Sequence, residues 1–227
     1  MTDLSPSTPR VAGLLLAAGG GRRLGGRPKA LLSHRGRPLV EHAVRALREG
    51  GCAPVHVVLG AAAYDVRARA ALSGAVLHDN PDWAEGMGSS LRTGLAALSA
   101  EGDVGDVDAV LVSLVDQPGI GPAAVARVRA ACASRETLAA AAYEGRRGHP
   151  VLFGAAHWAG IAASAEGDQG ARAYLRTHAA DLTLVECGDV ADPADIDTPD
   201  DLALLEPQGP GGAAAWHGGP PEGHIPG

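Results

Sequence analysis

The sequence contains few aromatic residues and few cysteines. Aromatic side chains make up 3% of the 227 residues, so a core must be built mainly from Ala, Val and Leu. The chain therefore offers few of the stacking platforms on which proteins bind single-stranded nucleic acids. Cys52, Cys132 and Cys187 lie far apart and form no CxxC pair, which indicates neither a disulfide framework nor a zinc knuckle. A reducing compartment is the default expectation.

The sequence also lacks a long apolar run and an excess of positive charge. No apolar run approaches the roughly 18 residues of a membrane-spanning helix, and no basic segment followed by an apolar one opens the chain. The formal net charge is −7, which gives no general attraction to nucleic acids or anionic lipids. We therefore predict a cytoplasmic protein that binds neither a membrane nor a nucleic acid.

Short aliphatic runs alternate with helical patterns along most of the chain. Seven runs are typical of buried strands, at 11–17, 55–60, 75–79, 108–116, 138–143, 149–153 and 182–187. Helical patterns follow at 38–51, 64–73, 89–100, 122–133, 169–179 and 199–206. The alternation predicts right-handed crossovers onto a mainly parallel sheet.

The predicted fold is one open α/β domain with helices on both faces of the sheet. We place this Rossmann-like domain at 10–206, after a flexible leader at 1–9 and before a tail at 207–227. The tail is rich in Gly and Pro and has no apolar periodicity, which is typical of disorder. Open α/β sheets bind ligands beyond the carboxyl ends of their strands, so functional residues are expected there.

The most unusual stretch follows the first predicted strand. Leu14–Leu32 reads LLLAAGGGRRLGGRPKALL, with five glycines, three arginines and one lysine between two apolar segments. It is not a P-loop, because no Gly-Lys-Ser/Thr follows. Nor does it match the dinucleotide fingerprint, because Leu24 stands where the last glycine is required.

A loop of this composition is suited to a bound triphosphate. Gly19, Gly20 and Gly21 allow backbone N–H groups to approach an anion, and Arg23 and Lys29 supply positive charge from flexible side chains. The alternative is a glycine-rich surface turn with solvated basic residues.

The whole string from Leu16 to Leu32 resembles the signature loop of a nucleotidyltransferase family. That family includes the sugar-phosphate pyrophosphorylases and the molybdenum cofactor nucleotidyltransferases. The resemblance implies that Lys29 binds the phosphates of a nucleoside triphosphate and that Arg23 assists. It also implies nucleotide contacts for the residues at the start of the loop, namely Leu16, Ala17, Ala18, Gly19, Gly20 and Gly21.

Asp116 is the leading candidate for a ligand of Mg²⁺, which prefers one or two carboxylates together with phosphate oxygens. It ends the most apolar predicted strand, at the edge where ligands bind. A turn-capping role is the alternative, but the family resemblance implies magnesium at a strand ending in DQP. Asp197 is a second candidate ligand, although its segment, DIDTPDDLALL, is also a good helix start.

A strand end, a turn and a helix start lie together in LHDNPDWAEGMGSSLRTGL. We expect Asp79 and Asn80 to meet the base or the ribose. Ser89 and Ser90 either donate to phosphate or cap the helix. The pattern Asn-Pro-x-Trp followed by Gly-x-x-Ser-Ser-Leu resembles the molybdopterin cytidylyltransferase branch of the family.

Two later segments resemble the same branch, RRGHPVLF at 146–153 and GDQGARAYL at 167–175. The resemblance implies that His149 and the residues from Asp168 to Arg172 line the acceptor side. His149 is a candidate acid or base, or a donor of a hydrogen bond to phosphate. Arg172 is a candidate clamp for an anionic acceptor. A packed histidine and a solvated arginine are the structural alternatives.

Together these features predict a Mg²⁺-dependent enzyme similar to the molybdenum cofactor cytidylyltransferases. It would transfer CMP from CTP to the terminal phosphate of molybdopterin and release pyrophosphate. The string LAAG at 16–19 favours the cytidylyl branch, because the guanylyl branch usually carries LAGG. Two alternatives stay open: transfer from GTP or to another phosphorylated acceptor, and a non-catalytic partner that delivers the finished cofactor to a molybdenum hydroxylase.

Overall fold

The computed structural model describes residues 8–100 and 107–205. The predicted tail at 207–227, and residues 1–7 of the predicted leader, lie outside the described residues. The strands are β1 (Val11–Ala17), β2 (Ser33–His34), β3 (Arg37–Pro38), β4 (Val55–Leu59), β5 (Val76–Asp79), β6 (Ala109–Leu114), β7 (Leu138–Tyr143), β8 (Arg146–Gly154) and β9 (Leu182–Glu186).

Seven of these strands form one sheet in the order β5-β4-β1-β6-β8-β7-β9, while β2 and β3 pair as a small hairpin. Every neighbouring pair in the large sheet is parallel except the two pairs that include β8. The prediction of a mainly parallel, open sheet is therefore confirmed. The strand bounds predicted from the aliphatic runs agree closely, apart from β8, which begins at Arg146 rather than 149.

β8 runs against its neighbours because a two-residue turn joins it to β7. Glu144 and Gly145 form this turn with φ angles of 52° and 75°, the left-handed conformation that two-residue hairpins require. The side chain of Glu186 accepts hydrogen bonds from the backbone N–H groups of both turn residues, at 3.2 Å each. The turn brings the basic residues at the start of β8 to the edge where the parallel strands end.

Helices cover both faces of the sheet, as predicted. The six α-helices are α1 (Leu39–Glu49), α2 (Ala63–Arg69), α3 (Met87–Ala100), α4 (Pro122–Arg129), α5 (Trp158–Ser164) and α6 (Arg172–Thr177). Buried residues of α1, α2 and α4 pack in one apolar cluster with Leu15 of β1. Those of α3, α5 and α6 pack in a second cluster with Leu14, because successive side chains of a strand point to opposite faces.

The structure differs from the predicted helices at two places, one near the end of the described chain and one between β8 and α6. The segment predicted as a helix at 199–206 forms a short 3-10 helix at Asp200–Leu204, and residue 206 lies outside the described residues. The α5 segment, WAGIAAS, was not predicted, because seven residues carry too little helical periodicity to be recognised. No helix in the described part of the chain is long and apolar enough to cross a membrane.

Candidate active site

Lys29 joins three segments that are distant in sequence. Its Nζ donates a hydrogen bond to Oδ2 of Asp116 at 2.7 Å and another to Oδ1 of Asp197. Arg23 approaches the other oxygen of Asp197 at 3.6 Å. The Lys29 and Asp116 side chains are only 16% and 19% exposed. The predicted phosphate-binding lysine and both predicted metal ligands thus lie in one cluster of charges.

Lys29 is also the only lysine in the sequence, since every other basic residue among the 19 Lys and Arg is arginine. The two cations differ in chemistry, because an ammonium is a compact point charge on a flexible chain and a guanidinium is a rigid planar fork. The compact ammonium of Lys29 therefore fits between the two carboxylates, and all other Lys or Arg positions of the chain carry arginine.

Gly21 fixes the path of the loop that carries Lys29. Its φ is +61°, and a Cβ at this position would lie 1.8 Å from the carbonyl oxygen of Arg27. Its own carbonyl accepts hydrogen bonds from the N–H groups of Leu24 at 2.9 Å and Gly26 at 3.1 Å. The loop therefore doubles back tightly before Pro28 and the short 3-10 helix at Lys29–Leu31.

The glycines at the start of the loop leave their amides available. Within the described residues, the N–H groups of Gly19, Gly20 and Gly21 donate no hydrogen bond to protein atoms. These residues line a cavity of about 670 Å³, which we call the loop cavity, together with Lys29 and Asp116. Unpaired N–H groups beside a basic side chain form a concave site for an anion.

Trp83 supports the loop from below. A Cβ on Gly20 would lie 3.2 Å from the indole ring, so the glycine lets the backbone rest on the ring. The guanidinium carbon of Arg22 lies 5.9 Å from the ring centroid, within range of a cation–π interaction. Trp83 also lines the loop cavity.

The position of Asp197 follows from pairing between two loops. The N–H of Ile196 donates to the carbonyl of Asp116 at 2.9 Å, and Ile196 is fully buried. No side chain caps the 3-10 helix at Asp200–Leu204. The carboxylate of Asp201 instead accepts from the N–H groups of Asp197 at 2.9 Å and Thr198 at 2.7 Å, just before the helix. The Asp197 side chain is thereby left to face Lys29.

The charges of the cluster shift one another's protonation equilibria. Burial alone would lower the pKa of Lys29, but the Asp116 and Asp197 carboxylates outweigh it and the net shift is upward. The pKa of Asp195 is raised, first by burial and then by the neighbouring charge of Asp116. Lys29 therefore stays a cation at neutral pH and matches the negative charge around it.

A second cavity of about 880 Å³ adjoins the first, and we call it the arginine cavity. Its rim carries Arg146, Arg147 and Arg172, which belong to none of the ion pairs among the described residues. Its floor is apolar and is formed by Met87, Leu91, Val112, Val151, Phe153 and Leu175. Arg172 and Asp195 line both cavities. The arginine cavity is suited to a molecule with an apolar body and negative groups.

His149 lines the arginine cavity and is held neutral. Burial, with the charges of Arg172 and Arg147, lowers the pKa of His149 to about 4. Its carbonyl accepts a hydrogen bond from the Tyr143 hydroxyl at 2.7 Å, which fixes the backbone there. At neutral pH this histidine offers a hydrogen bond rather than a charge.

The two carboxylates that contact Lys29 are also suitable ligands for a divalent cation. A cationic group already bridges Asp116 and Asp197 in this structure, so their oxygens converge on one point. No group of three or more His, Cys, Asp and Glu within the described ranges forms a metal cage. That donor set fits Mg²⁺, which commonly takes one or two carboxylates and completes its shell with water and phosphate oxygens.

Other predicted residues divide between the cavities and the scaffold. Leu16, Ala18, Ser90 and Asp168 line the loop cavity. Ala17 packs in the apolar core. Asp79 lies outside both cavities, where its carboxylate pairs with Arg67 at 2.9 Å.

Asn80 and Ser89 form a buried polar network. The Asn80 amide donates to Oγ of Ser89 at 2.9 Å and to Oγ of Ser90 at 3.1 Å, and its oxygen accepts from the N–H of Asp82. Neither Asn80 nor Ser89 lines a cavity, so they position the start of α3 beneath the site. Four residues of this segment were predicted to contact the nucleotide, and of these four Ser90 alone lines the loop cavity.

Among the lining residues that were not predicted from the sequence are Asp195, Trp83, Arg146 and Arg147. Asp195 lies two residues before Asp197 in a loop without a strand pattern, although the repeated acidic residues of ADIDTPD were a usable signal. Trp83 and Arg147 belong to segments recognised by their resemblance, but nothing in the local pattern indicates which side chains face a cavity.

A family model agrees with this geometry. The model of the MobA-like NTP transferase domain matches residues 13–182, which include the glycine loop, Asp116 and the three arginines of the arginine cavity. The chain is also 41% identical over 211 residues to nicotine blue oxidoreductase of Paenarthrobacter nicotinovorans, covering 90% of this chain and 98% of that protein.

Solved structures share the fold. The Mycobacterium sp. strain JC1 homologue of Mycobacterium tuberculosis Rv0371c has a TM-score of 0.70 and 30% identity, over 86% of this chain and 94% of that one. The complex of Rv0371c from M. tuberculosis H37Rv with manganese has a TM-score of 0.66 and 26% identity, over 86% and 97% of the two chains.

We expect Gly21→Ala to disrupt the loop more than Gly25→Ala does. Both glycines have positive φ, which costs an alanine about 1–2 kcal/mol, but a Cβ on Gly25 meets nothing within 4 Å. The clash of a Gly21 Cβ with Arg27 adds about 1–3 kcal/mol. Denaturant unfolding measures the difference, and amide exchange at Leu24 and Gly26 should accelerate in Gly21→Ala. Equal stability of the two variants would contradict this account.

We expect the imidazole of His149 to titrate near pH 4. Because the fold favours the neutral form, its contribution to stability is complete above the unfolded pKa of about 6.5 and is lost as the pH falls from there towards 4. NMR titration measures the midpoint. Arg172→Gln should raise it, since one repelling cation is removed. Arg176→Gln on the same helix should leave it unchanged, and a wild-type midpoint near 6.5 would rule out the burial described.

Proposed function

We propose a nucleotidyl-transfer reaction for this chain, which belongs to the family of MobA-like NTP transferase domains. In this reaction the terminal phosphate of a molybdopterin-type acceptor attacks the α-phosphorus of CTP. A new phosphorus–oxygen bond joins the acceptor to the α-phosphorus. The bond from the α-phosphorus to its bridging oxygen breaks, and pyrophosphate leaves with that oxygen and the electron pair. The product is the acceptor linked to CMP.

The contact of Lys29 with Asp116 and Asp197 is the observation that carries this proposal. It combines a cation suited to phosphate oxygens with two carboxylates suited to a divalent metal. The contact borders the loop cavity, which shares Arg172 and Asp195 with the arginine cavity. A triphosphate in the loop cavity would therefore face an acceptor phosphate in the arginine cavity.

The chain's own groups would act by position and charge. The free N–H groups of Gly19, Gly20 and Gly21 would bind phosphate oxygens. Lys29 and Arg23 would neutralise the charge that develops on pyrophosphate as it leaves, which is the main requirement of phosphoryl-type transfers. No side chain has to remove a proton, because a phosphate anion is already a nucleophile.

The acceptor would be held by the arginine cavity. Arg172, at the junction of the two cavities, would orient the attacking phosphate, and Arg146 and Arg147 would bind further negative groups. The neutral His149 would add a hydrogen bond, and the apolar floor would contact the body of the acceptor. A molybdopterin, which has a flat ring system and a phosphate, fits this pattern of groups.

Asp116 and Asp197 would hold Mg²⁺ together with phosphate oxygens of the nucleotide. When bound, the ion would polarise the phosphoryl group and spread its negative charge. The manganese complex of Rv0371c, a protein 26% identical over 86% of this chain, supports a divalent cation for this chain.

Ala18 supports CTP over GTP as the nucleotide. This residue lines the loop cavity and borders the second apolar cluster, at the position where the guanylyltransferase branch usually carries glycine. A methyl group there reduces the space for a base, and a purine needs more space than a pyrimidine.

Reduction of a dye is the second candidate function. The observation that favours it is the 41% identity to nicotine blue oxidoreductase over nearly the whole of both chains. The arginine cavity, with its apolar floor, also suits a flat organic molecule. This reaction would consume a reductant and release no pyrophosphate, so the two candidates are easily distinguished.

Three further predictions rest on the sequence alone. They are a molybdenum hydroxylase as a downstream partner, delivery of the cofactor without catalysis, and a cytoplasmic location.

Pyrophosphate release tests the proposed function. We expect release from CTP, with Mg²⁺ and molybdopterin present, at a rate above that with GTP, ATP or UTP. Lys29→Ala and Asp116→Ala should each lower kcat/KM at least about 100-fold, because each removes a charge that stabilises the transition state. Asp181→Ala, which removes an exposed carboxylate away from both cavities, is the matched control and should keep wild-type activity.

Each other outcome has a definite meaning. Preferred release from GTP would overturn the nucleotide assignment, and substantial activity in either charge variant would overturn the role of that residue. Reduction of nicotine blue with NADH or NADPH, without pyrophosphate release from any nucleotide, would replace the transferase by the second candidate. Binding of molybdopterin without either activity would favour the delivery partner.

We expect Ala18→Gly to shift the nucleotide preference towards GTP. Removing the methyl group enlarges the loop cavity, and a methyl-sized change is worth about 10–200-fold in discrimination. The ratio of kcat/KM for CTP to that for GTP measures the shift. Ala17→Gly, at a core residue that lines neither cavity, should leave the ratio unchanged even where it lowers stability. A ratio unaltered in Ala18→Gly would contradict this assignment.

A further inference from the structure

Lys29 occupies the point where the two predicted metal ligands converge. Its ammonium bridges Asp116 and Asp197, and a divalent cation would require the same carboxylate oxygens. The proposed function also requires Lys29 on the phosphates of the nucleotide. One ammonium cannot neutralise the carboxylates and hold the phosphates in full at the same time.

The balance of charge explains why Lys29 lies on the carboxylates. Asp116 is largely shielded from solvent, and a poorly solvated carboxylate near a second one needs a cation. Asp195 lines the same loop cavity and adds a third carboxyl group. Arg23 pairs with Asp197 at 3.6 Å, but 77% of its side chain is exposed, so it neutralises the carboxylates less than Lys29 does.

Lysine is also the cation best able to leave. Its ammonium is a single point on a chain of four methylene groups, whereas an arginine would hold a carboxylate with two parallel hydrogen bonds. In a chain whose other basic residues are all arginine, a lysine at this position combines charge with easy release. Lys29 and the glycines of the loop line the same cavity, so rotation of the lysine side chain would move Nζ towards their free amides.

We propose that the Lys29 ammonium is a resident substitute for the divalent cation. It neutralises Asp116 and Asp197 in the free protein and gives them up when a metal ion and a nucleotide enter together, moving to the phosphates. This inference rests on the proposed function for its nucleotide, but not on turnover. Metal alone must compete with Lys29, whereas metal with nucleotide offers Lys29 a new anionic partner, so the two ligands should bind cooperatively.

Mn²⁺ binding without turnover tests the exchange. Free Mn²⁺ is measured by electron paramagnetic resonance for the wild type, Lys29→Met and Arg23→Met. We expect Lys29→Met, which keeps the length and loses the charge, to bind Mn²⁺ at least about fivefold more tightly than the wild type when no nucleotide is present. Arg23→Met should change the affinity less. In the wild type, CTP should tighten Mn²⁺ binding, and Lys29→Met should lose most of that coupling.

A second measurement uses the wild-type chain and does not depend on how well Lys29→Met folds. Because Lys29 is the only lysine, acetylation by an amine reagent modifies one side-chain amine, with the amino terminus as an internal reference. Mass spectrometry of the Lys29 peptide measures the rate. We expect saturating Mn²⁺ alone to accelerate acetylation, since the amine is displaced from its carboxylates, and Mn²⁺ with CTP to slow it again.

The outcomes separate this inference from the proposed function. Mn²⁺ affinity no higher in a folded Lys29→Met, or an acetylation rate unaffected by bound Mn²⁺, overturns the exchange even if the enzyme releases pyrophosphate. Exchange in a protein that transfers no nucleotide supports the inference and overturns the function. Absence of Mn²⁺ binding in every variant overturns both the exchange and the metal role of Asp116 and Asp197.

Discussion

The ammonium of Lys29 between two carboxylates is the interaction on which the site depends. It joins the loop after β1, the segment after β6 and the loop after β9, which are distant from one another in the sequence. Two partly buried carboxylates would repel each other without it. The backbone hydrogen bond from the N–H of Ile196 to the carbonyl of Asp116 brings the two acidic segments together. The lysine offsets the repulsion between their carboxylates. Packing and charge are therefore coupled at this point, and neither alone determines the geometry.

Strand direction decides which segments can meet there. Parallel strands present their following loops at one edge, so the loops after β1 and β6 are neighbours because β1 and β6 are neighbours in the sheet. The antiparallel strand β8 contributes to the same edge in the opposite way, through its beginning. The turn at Glu144 and Gly145 thus delivers arginines to an edge that is otherwise formed by strand ends. One reversed strand gives the site its second cavity.

The sequence predicts those features that depend on local chemistry. Aliphatic runs identify the strands, and glycines beside basic residues identify the loop, because these patterns act within a few residues. Asp116 is found for the same reason, as an acidic residue ending an apolar run. The acidic residues of ADIDTPD indicate a site, but the position of Asp195 in it follows from the pairing of its loop with the segment after β6. The exclusion of Asp79 follows from its ion pair with Arg67, which no local pattern indicates.

The two cavities are built from different parts of the chain, and this separation bears on how one scaffold accommodates different reactions. The loop cavity depends on β1, its glycines and Lys29, and these are the residues that carry the family resemblance. Most of the arginine cavity comes from the β7–β8 hairpin, α6 and the loop after β9. Under the proposed function, substitutions in the hairpin would change the acceptor without altering the loop that would bind the phosphates. This chain matches a family model of NTP transferase domains and is also similar to a protein named as an oxidoreductase, which is consistent with a constant loop cavity beside a variable one. The residues that discriminate between the two chemistries should therefore be sought first among Arg146, Arg147 and His149, and only then in the loop.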